Sequence, residues 1–575
     1  EERAIGNAIE LNLGGDYNIH SEIINFKNYG NFSSRTRTIV IGVRKDQKDI
    51  TPFSLFPSIQ PEKNLKEAIG HLKSLKDMYE FDKNDFYHSF KAYTPHMREW
   101  IKGIKEGESA FDNEDPRKRP HIIVDGNIIF NAKKNGDKYT RTFWNKVAPC
   151  IHTRNDILSS QNTIHPKDDR VFSIRELMIL MSIPKNFQWI DTPLKTLNNL
   201  SNEEKIIISK KNEMNIRHSI GEAVPTIIFS QIAERISNYL TKTISDKEIE
   251  KIIQKLNSLE EIKEYIEQNS LNLDYKQLMK IAELSNAKRL EDAAFYTTQD
   301  IGFNIIKNLP NFSNKKSINI LEPSVGVGNF IPLLFFKYRN NEEVILDICD
   351  INNESLEILE IILSKIIIPK NFKINLINAD FLTYKFDKKY DLIIGNPPFK
   401  KIQLNKKLLA EYKSQMINKD TTNIFSFFIE KSLKMTNYLA FITPKSLISA
   451  PEFNKTRDLL SGYEVEKIID FGEKGFKGVK IETIGFIVKT SKADNYIVKV
   501  ESYITKDIRY YENNYIFSNE FPYWLIYRND FFDEIASKVV FNVFESFRDR
   551  QITKAHTQAK GKYRVIKARN LESGS

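Results

Sequence analysis

From residue 317 onward, short apolar runs alternate with stretches whose apolar residues recur every three or four positions. Ser317-Ile-Asn-Ile-Leu, Val344-Ile-Leu-Asp-Ile348, Phe372-Lys-Ile-Asn-Leu-Ile, Asp391-Leu-Ile-Ile, Tyr438-Leu-Ala-Phe-Ile442, Val465 to Phe471 and Thr483 to Val488 have strand length. Asp300 to Leu309, Ile331 to Tyr338 and Thr422 to Leu433 read as helices between them. The alternation predicts an α/β fold, a doubly wound Rossmann-like sheet with helices on both faces. Upstream, Asp246-Lys-Glu-Ile-Glu-Lys-Ile-Ile and Ser258-Leu-Glu-Glu-Ile-Lys-Glu-Tyr-Ile carry apolar residues at helical spacing. They predict an amphipathic helical connector over residues 241–290 that packs on the next domain. Lys45 to Arg154 is weakly patterned, with aromatic and basic residues interleaved, and predicts only an irregular domain. Before it, Tyr29-Gly-Asn-Phe-Ser-Ser-Arg-Thr-Arg37 reads as a basic loop entering a buried strand, Thr38-Ile-Val-Ile-Gly-Val-Arg44.

A length of 575 residues corresponds to about three or four domains at ~150 residues each. The formal charge of +10 favours a polyanionic partner, although part of the excess belongs to solvated surface. Cys150 and Cys349 stand in unrelated contexts and form no CxxC pair, which argues against a disulfide framework or a zinc site and fits a reducing cytoplasm. No run approaches the ~18 apolar residues of a membrane span. These features predict a soluble, cytoplasmic protein with no membrane partner.

The densest chemistry follows the strand at Asp391. In Asn396-Pro397-Pro398-Phe399, two consecutive prolines exclude both helix and sheet and force a stiff projecting turn. The turn offers acceptors: the Asn396 side-chain oxygen and a proline carbonyl can take both hydrogens of an exocyclic amine, while Phe399 can stack on its ring. Upstream, Glu322-Pro323-Ser-Val-Gly326-Val-Gly328 is a glycine-rich turn between a strand and a helix, where the main chain can approach a ligand. The next strand ends at Asp350, 24 residues past Gly326, in the position of a ribose-binding carboxylate. A third strand ends near Asp380-Phe381.

This ordered set resembles the N6-adenine DNA methyltransferases, whose Asn/Asp-Pro-Pro-Phe/Tyr motif holds a flipped base. Ala294-Phe-Tyr296-Thr297-Thr298 resembles their Tyr-Thr-Pro opening, with Thr298 in place of proline. The resemblance implies S-adenosylmethionine as cofactor, held by Tyr296, Thr297, Glu322, Pro323, Gly326, Gly328, Asp350, Ile351, Asp380 and Phe381. It assigns Asn396, Pro397, Pro398 and Phe399 to catalysis, without a metal. Only about 70 residues separate Gly326 from Asn396, which is similar to the γ arrangement, with DNA recognition after the catalytic domain. Residues 291–545 are then the catalytic domain and 546–575 the start of a recognition domain.

Three further segments resemble cytosine-C5 DNA methyltransferases: Ser33-Ser34-Arg35-Thr-Arg37, with Ser33 where that family has glutamine; Arg170-Val-Phe-Ser-Ile-Arg175-Glu176; and Ile220-Gly-Glu-Ala-Val-Pro225, with Glu222 in place of asparagine. By this resemblance residues 1–240 are the carboxyl-terminal portion of such an enzyme, with a recognition domain at about 45–160. The Pro-Cys and Glu-Asn-Val motifs that would supply its nucleophile do not precede Tyr29. As it stands, this half is expected not to perform its own reaction. Arg35, Arg37, Lys400 and Lys401 are candidate DNA contacts.

Together the resemblances imply a fused modification enzyme similar to those of type IIS restriction systems. It would methylate adenine N6 in double-stranded DNA with the base flipped, beside a cognate endonuclease encoded nearby that it need not touch. The alternatives are a methyltransferase acting on protein glutamine, a non-catalytic DNA-binding subunit and a combined restriction-methylation polypeptide.

Overall fold

The computed structural model describes residues 2–47, 49–131, 138–160, 162–285, 297–402, 405–473, 481–518, 520–521, 523–540 and 561. The expected cofactor contact Tyr296 lies outside the described residues, as does all of the expected recognition segment 546–575 except residue 561.

The amino-terminal half is built on small pieces. β1 (Tyr17–Asn25) and β2 (Thr36–Arg44) form an antiparallel ribbon, with Tyr17 opposite Arg44 and Asn25 opposite Thr36. β3 (Phe81–Asp82) pairs with β4 (Asp85–Ser89), and β5 (His121–Val124) with β6 (Asn127–Phe130). The expectation of a buried strand at 38–44 is corrected in one respect. It is a strand, but Val43 alone within β2 is buried. With a single partner strand, most of its side chains face solvent.

An apolar cluster around the helices Ile174–Leu180 and Asn202–Glu222 organises this half. Beside it lies an ionic core. Arg170 is 1% exposed and its guanidinium donates to both oxygens of Glu176, at 2.7 and 2.8 Å, and to Asp168 at 2.8 Å. Neither charge could be buried without this pairing. Glu176 also closes a capping box with Ser173 at the head of its helix.

The carboxyl-terminal half carries β7 (Ser317–Glu322), β8 (Glu343–Asp350), β9 (Phe372–Asn378), β10 (Tyr390–Gly395), β11 (Thr436–Pro444), β12 (Glu464–Gly472), β13 (Thr483–Lys489), β14 (Ile497–Ser502) and β15 (Ile508–Glu512). Among the described residues these make one nine-stranded sheet in the order β15-β14-β12-β13-β11-β10-β7-β8-β9. β9, β8, β7, β10 and β11 run parallel, whereas β13 is antiparallel to both neighbours, so the sheet is mixed rather than wholly parallel. Only residues 473–482 join β12 to β13, too few for the crossover that a parallel pair needs. Every residue of β10 is buried, and its side chains alternate between two cores: Leu392 and Ile394 enter one, Ile393 the other.

The two halves share a core. Phe53, from the one-turn helix Pro52–Leu55, packs edge-on to Phe303 at 4.8 Å and stacks on Phe336 at 4.2 Å. Arg339 donates to both carboxylate oxygens of Glu22 on β1, at 2.8 and 2.7 Å. Asn18 Oδ1 accepts from Asn304 Nδ2 at 2.9 Å and from Tyr503 Oη at 3.1 Å. The helices Leu259–Gln268 and Tyr275–Ser285 pack on the helix Asn353–Ser364, Ile262, Ile266 and Ile281 meeting Ile358 and Ile362, while Asp246–Ile253 packs on Tyr275–Ser285. These contacts extend as far as residue 285.

Candidate active site

Chain order reverses between β7 and β10, since the connections leave β7 toward β8 on one side and reach β10 on the other. A crevice opens outside the carboxyl ends of strands at such a switch point. Here it is a cavity of about 590 Å³. Its wall includes Thr297, Glu322, Pro323, Gly326, Asp350, Ile351, Asp380, Phe381, Asn396 and Pro398. Residues from 297 to 398 thus meet in one place.

The turn after β7 bends back on itself. Gly326 has φ +54° and Gly328 φ +86°, the left-handed region in which a Cβ is strained. At Gly328 a Cβ would also come within 2.7 Å of Leu359 Cδ1 and 2.8 Å of Ile331 Cδ1, so this glycine lies against the core rather than on the cavity wall. Asp350 holds the turn in place: its Oδ2 accepts from the Gly326 amide at 2.8 Å and its Oδ1 from the Asn352 amide at 2.9 Å.

Glu322 ends β7 and is 1% exposed. Its Oε2 finds no hydrogen-bond partner among the described residues. Burial, reinforced by the neighbouring charge of Asp350, pushes its carboxyl well above the usual range and favours the neutral form. Asn329 Oδ1, also on the wall, is likewise buried without a partner. Buried polar atoms of this kind mark a place where a ligand completes the bonding.

At the far side Asp380 Oδ1 accepts from the Leu382 amide at 2.9 Å and Oδ2 from the Tyr412 hydroxyl at 2.6 Å. Phe381 is buried, with its ring 4.8 Å from that of Phe428. At the near side Asn396 Nδ2 donates to Thr297 Oγ1 at 3.2 Å, and Ser324 Oγ donates to the Asn396 carbonyl at 3.3 Å. The turn at Asn396 is therefore tied both to the loop after β7 and to the head of the helix Gln299–Ile306.

Pro397 is buried behind the wall that Pro398 helps to form. Phe399 is half-buried and packs against both apolar cores, edge-on to Phe425 at 6.2 Å, and it does not line the cavity. The aromatic wall is made instead by Phe330, Phe381, Tyr412 and Phe428. Lys400 and Lys401 reach the rim, where Lys401 pairs with Glu452 at 2.9 Å. Arg37 is exposed, 9 residues before Asp46, and donates to the Thr36 carbonyl at 2.7 Å.

The expectation that Arg35 contacts DNA is corrected. It is 5% exposed, and its guanidinium donates to the carbonyls of Ile151 at 3.1 Å, Gly221 at 2.8 Å and Glu222 at 3.4 Å. It is a bracket between distant segments of the amino-terminal half. Among the wall residues that sequence reasoning missed are Glu283, Ser324, Asn329 and Tyr412. Ser324 and Asn329 lie within or beside the glycine motif and were within its reach, whereas Glu283 and Tyr412 sit on amphipathic helices with no local mark of function.

The chain is similar in sequence to known proteins. The model of the Eco57I restriction-modification methylase matches residues 167–476, and that of the C-5 cytosine-specific DNA methylase matches residues 8–238. The chain is 30% identical over 251 residues to the type II methyltransferase M1.HgaI of Avibacterium volantium, covering 41% of this chain and 59% of that protein. It is 28% identical over 216 residues to the type II methyltransferase M.VspI of Vibrio sp. (strain 343), covering 37% and 51%. The chain thus spans about half the length of the curated relatives it matches. Among solved structures, it resembles the methyltransferase subunit of the type I restriction-modification system from Streptococcus thermophilus, with 15% identity, a TM-score of 0.28, and coverage of 52% of this chain and 76% of that one.

Proposed function

The chain belongs to the Eco57I restriction-modification methylase family, and we propose that it transfers the methyl group of S-adenosylmethionine to adenine N6 in DNA. The observation that carries this reading is the convergence of Asn396 and Thr297 with Glu322, Asp350 and Asp380 on one cavity.

The donor set fits the cofactor. S-adenosylmethionine carries an adenine amine, a ribose diol and two cationic groups, and the wall offers four carboxyl groups, Glu283, Glu322, Asp350 and Asp380. Asp350 would hold the diol and Asp380 the amine, with Ile351 and Phe381 beside the adenine ring. When bound, the cofactor supplies an electrophilic methyl on its sulfonium. The residues of the chain do the rest.

Adenine N6 is a weak nucleophile because its lone pair is delocalised into the ring, and a base inside a duplex is out of reach. Flipping it out costs a few kcal/mol in unstacking. Asn396 and a proline carbonyl then accept the two N6 hydrogens, which draws the nitrogen toward tetrahedral geometry and frees its lone pair. Thr297, holding the amide nitrogen of Asn396, keeps the acceptor end of that side chain in a single orientation. The contribution is mainly orientation, with hydrogen bonds that strengthen as the nitrogen becomes positive. Lys400 and Lys401 at the rim supply phosphate contacts.

Residues 8–238 act in this reading as scaffold, since Arg35, Arg170 and Glu176 of the cytosine-type motifs are spent on buried structural bonds. The biological setting is protection of host DNA from a cognate endonuclease. Duplex DNA free of modification, incubated with methyl-labelled cofactor and digested to nucleosides, tests the proposal. The expected product is N6-methyldeoxyadenosine, abolished by Asn396→Ala. Label in a cytosine base or in protein glutamine, or no transfer at all, would reject it.

A further inference from the structure

The helices between 246 and 285 do more than connect. The last of them, Tyr275–Ser285, sends Leu278, Met279, Ile281 and Ala282 into the apolar cluster it shares with Val327, Ile358 and Ile362. Val327 lies inside the glycine turn, so the helix is packed directly on that turn. The next residue, Glu283, is half-buried and lines the cavity. Its Oε2 stands 3.4 Å from where a Cβ on Gly326 would be. A carboxylate from outside the sheet thus rests against the same residue whose amide Asp350 accepts.

The cofactor brings three hydrogen-donating groups that need acceptors here. Its adenine amine and ribose diol are assigned to Asp380 and Asp350. The third is the α-ammonium of its methionine portion, and the remaining wall carboxyls are Glu322 and Glu283. Glu322 is 1% exposed, and burial together with the charge of Asp350 disfavours its anion. Glu283 is half-buried and stands against the glycine turn.

We propose that Glu283 is a cofactor-binding residue that receives the methionine α-ammonium, so that the helical unit 246–285 supplies one wall of the methyl-donor site. The inference rests on the S-adenosylmethionine reading above. A charge-assisted bond to a half-exposed carboxylate is stronger than a neutral one and is weakened by salt.

The test uses the full chain and two probes in calorimetric titrations. S-adenosylhomocysteine keeps the α-ammonium, whereas 5′-methylthioadenosine has the same adenosine and thioether without the amino-acid portion. Glu283→Gln is expected to weaken S-adenosylhomocysteine about tenfold and to leave 5′-methylthioadenosine unchanged. Glu283→Asp, which keeps the charge, should fall between wild type and Glu283→Gln. Unchanged affinity for S-adenosylhomocysteine in Glu283→Gln overturns the proposal, and so does an equal loss for both probes, which would signify a structural role. Wild-type chain that binds neither probe overturns the cofactor reading itself, a result distinct from the other two.

Discussion

Asn396, just past β10, and Thr297, just before the helix Gln299–Ile306, are joined by a 3.2 Å hydrogen bond across 99 residues of sequence. The bond consumes a donor of the Asn396 amide and leaves its oxygen as the end that can serve an incoming amine. Thr297→Val keeps the shape of the side chain and removes the acceptor. Turnover should fall about tenfold or more, because the amide loses its preferred orientation, and by more than cofactor affinity does. Asn396→Ala should cost about a hundredfold or more in turnover, the scale of losing one preorganised polar group. Single-turnover kinetics with cofactor titrations measures both quantities. A parallel loss of affinity and rate would contradict the assignment.

Glu322 makes the empty protein sensitive to pH. Its folded-state pKa is raised above the unfolded value, first by burial and then by Asp350. Its contribution to stability is therefore fully present below the ordinary carboxylate pKa and is lost as pH rises through the raised one. Urea midpoints measured from acid to neutral pH should therefore fall in wild type relative to Glu322→Gln, which is neutral throughout, whatever slope the other titrating groups impose on both proteins. An identical slope in both proteins would remove Glu322 as a source of that sensitivity.

Gly328 is required by space as well as by backbone angle. With φ +86° and side-chain carbons 2.7 and 2.8 Å from a Cβ, Gly328→Ala should destabilise the fold by about 1–3 kcal/mol. It should also weaken the cofactor, because the turn at Gly326 shifts with it. Denaturant unfolding and calorimetry read the two effects. Gly103 also has positive φ, at +82°, but a Cβ there meets nothing within 4 Å, so Gly103→Ala should show strain without a clash and a smaller loss.

The bidentate pair of Arg339 and Glu22 links the halves from beside a shared aromatic core, with the guanidinium 3.7 Å from the Phe336 ring centre. Arg339→Ala should cost about 2 kcal/mol, between the values for exposed and fully buried pairs. The loss should appear as one cooperative transition moved to lower denaturant. If instead the transition splits in two, with the carboxyl-terminal half unaffected, the halves fold independently and the shared core contributes little.

The sequence by itself determined the order of parts in the catalytic half. Alternating strand and helix periods, a glycine turn after β7 and an acid at or near each of the next two strand ends are local features, governed by side-chain spacing and backbone freedom. They place Glu322, Gly326, Asp350, Asp380 and Asn396 at the carboxyl edge of the sheet with no knowledge of contacts. The same local rules could not see that β13 runs antiparallel, because that follows from the short 473–482 connection and from which neighbours it finds. They offered Arg35 to solvent, whereas the fold encloses it among three carbonyls. They also left Glu283 and Tyr412 on ordinary amphipathic helices, and it is packing across many intervening residues that brings both to the cavity. Strand, helix and turn arise from neighbours in the chain. Burial, partner choice and the closing wall of a site arise from segments that meet only when the core forms, and those the tertiary structure alone decided.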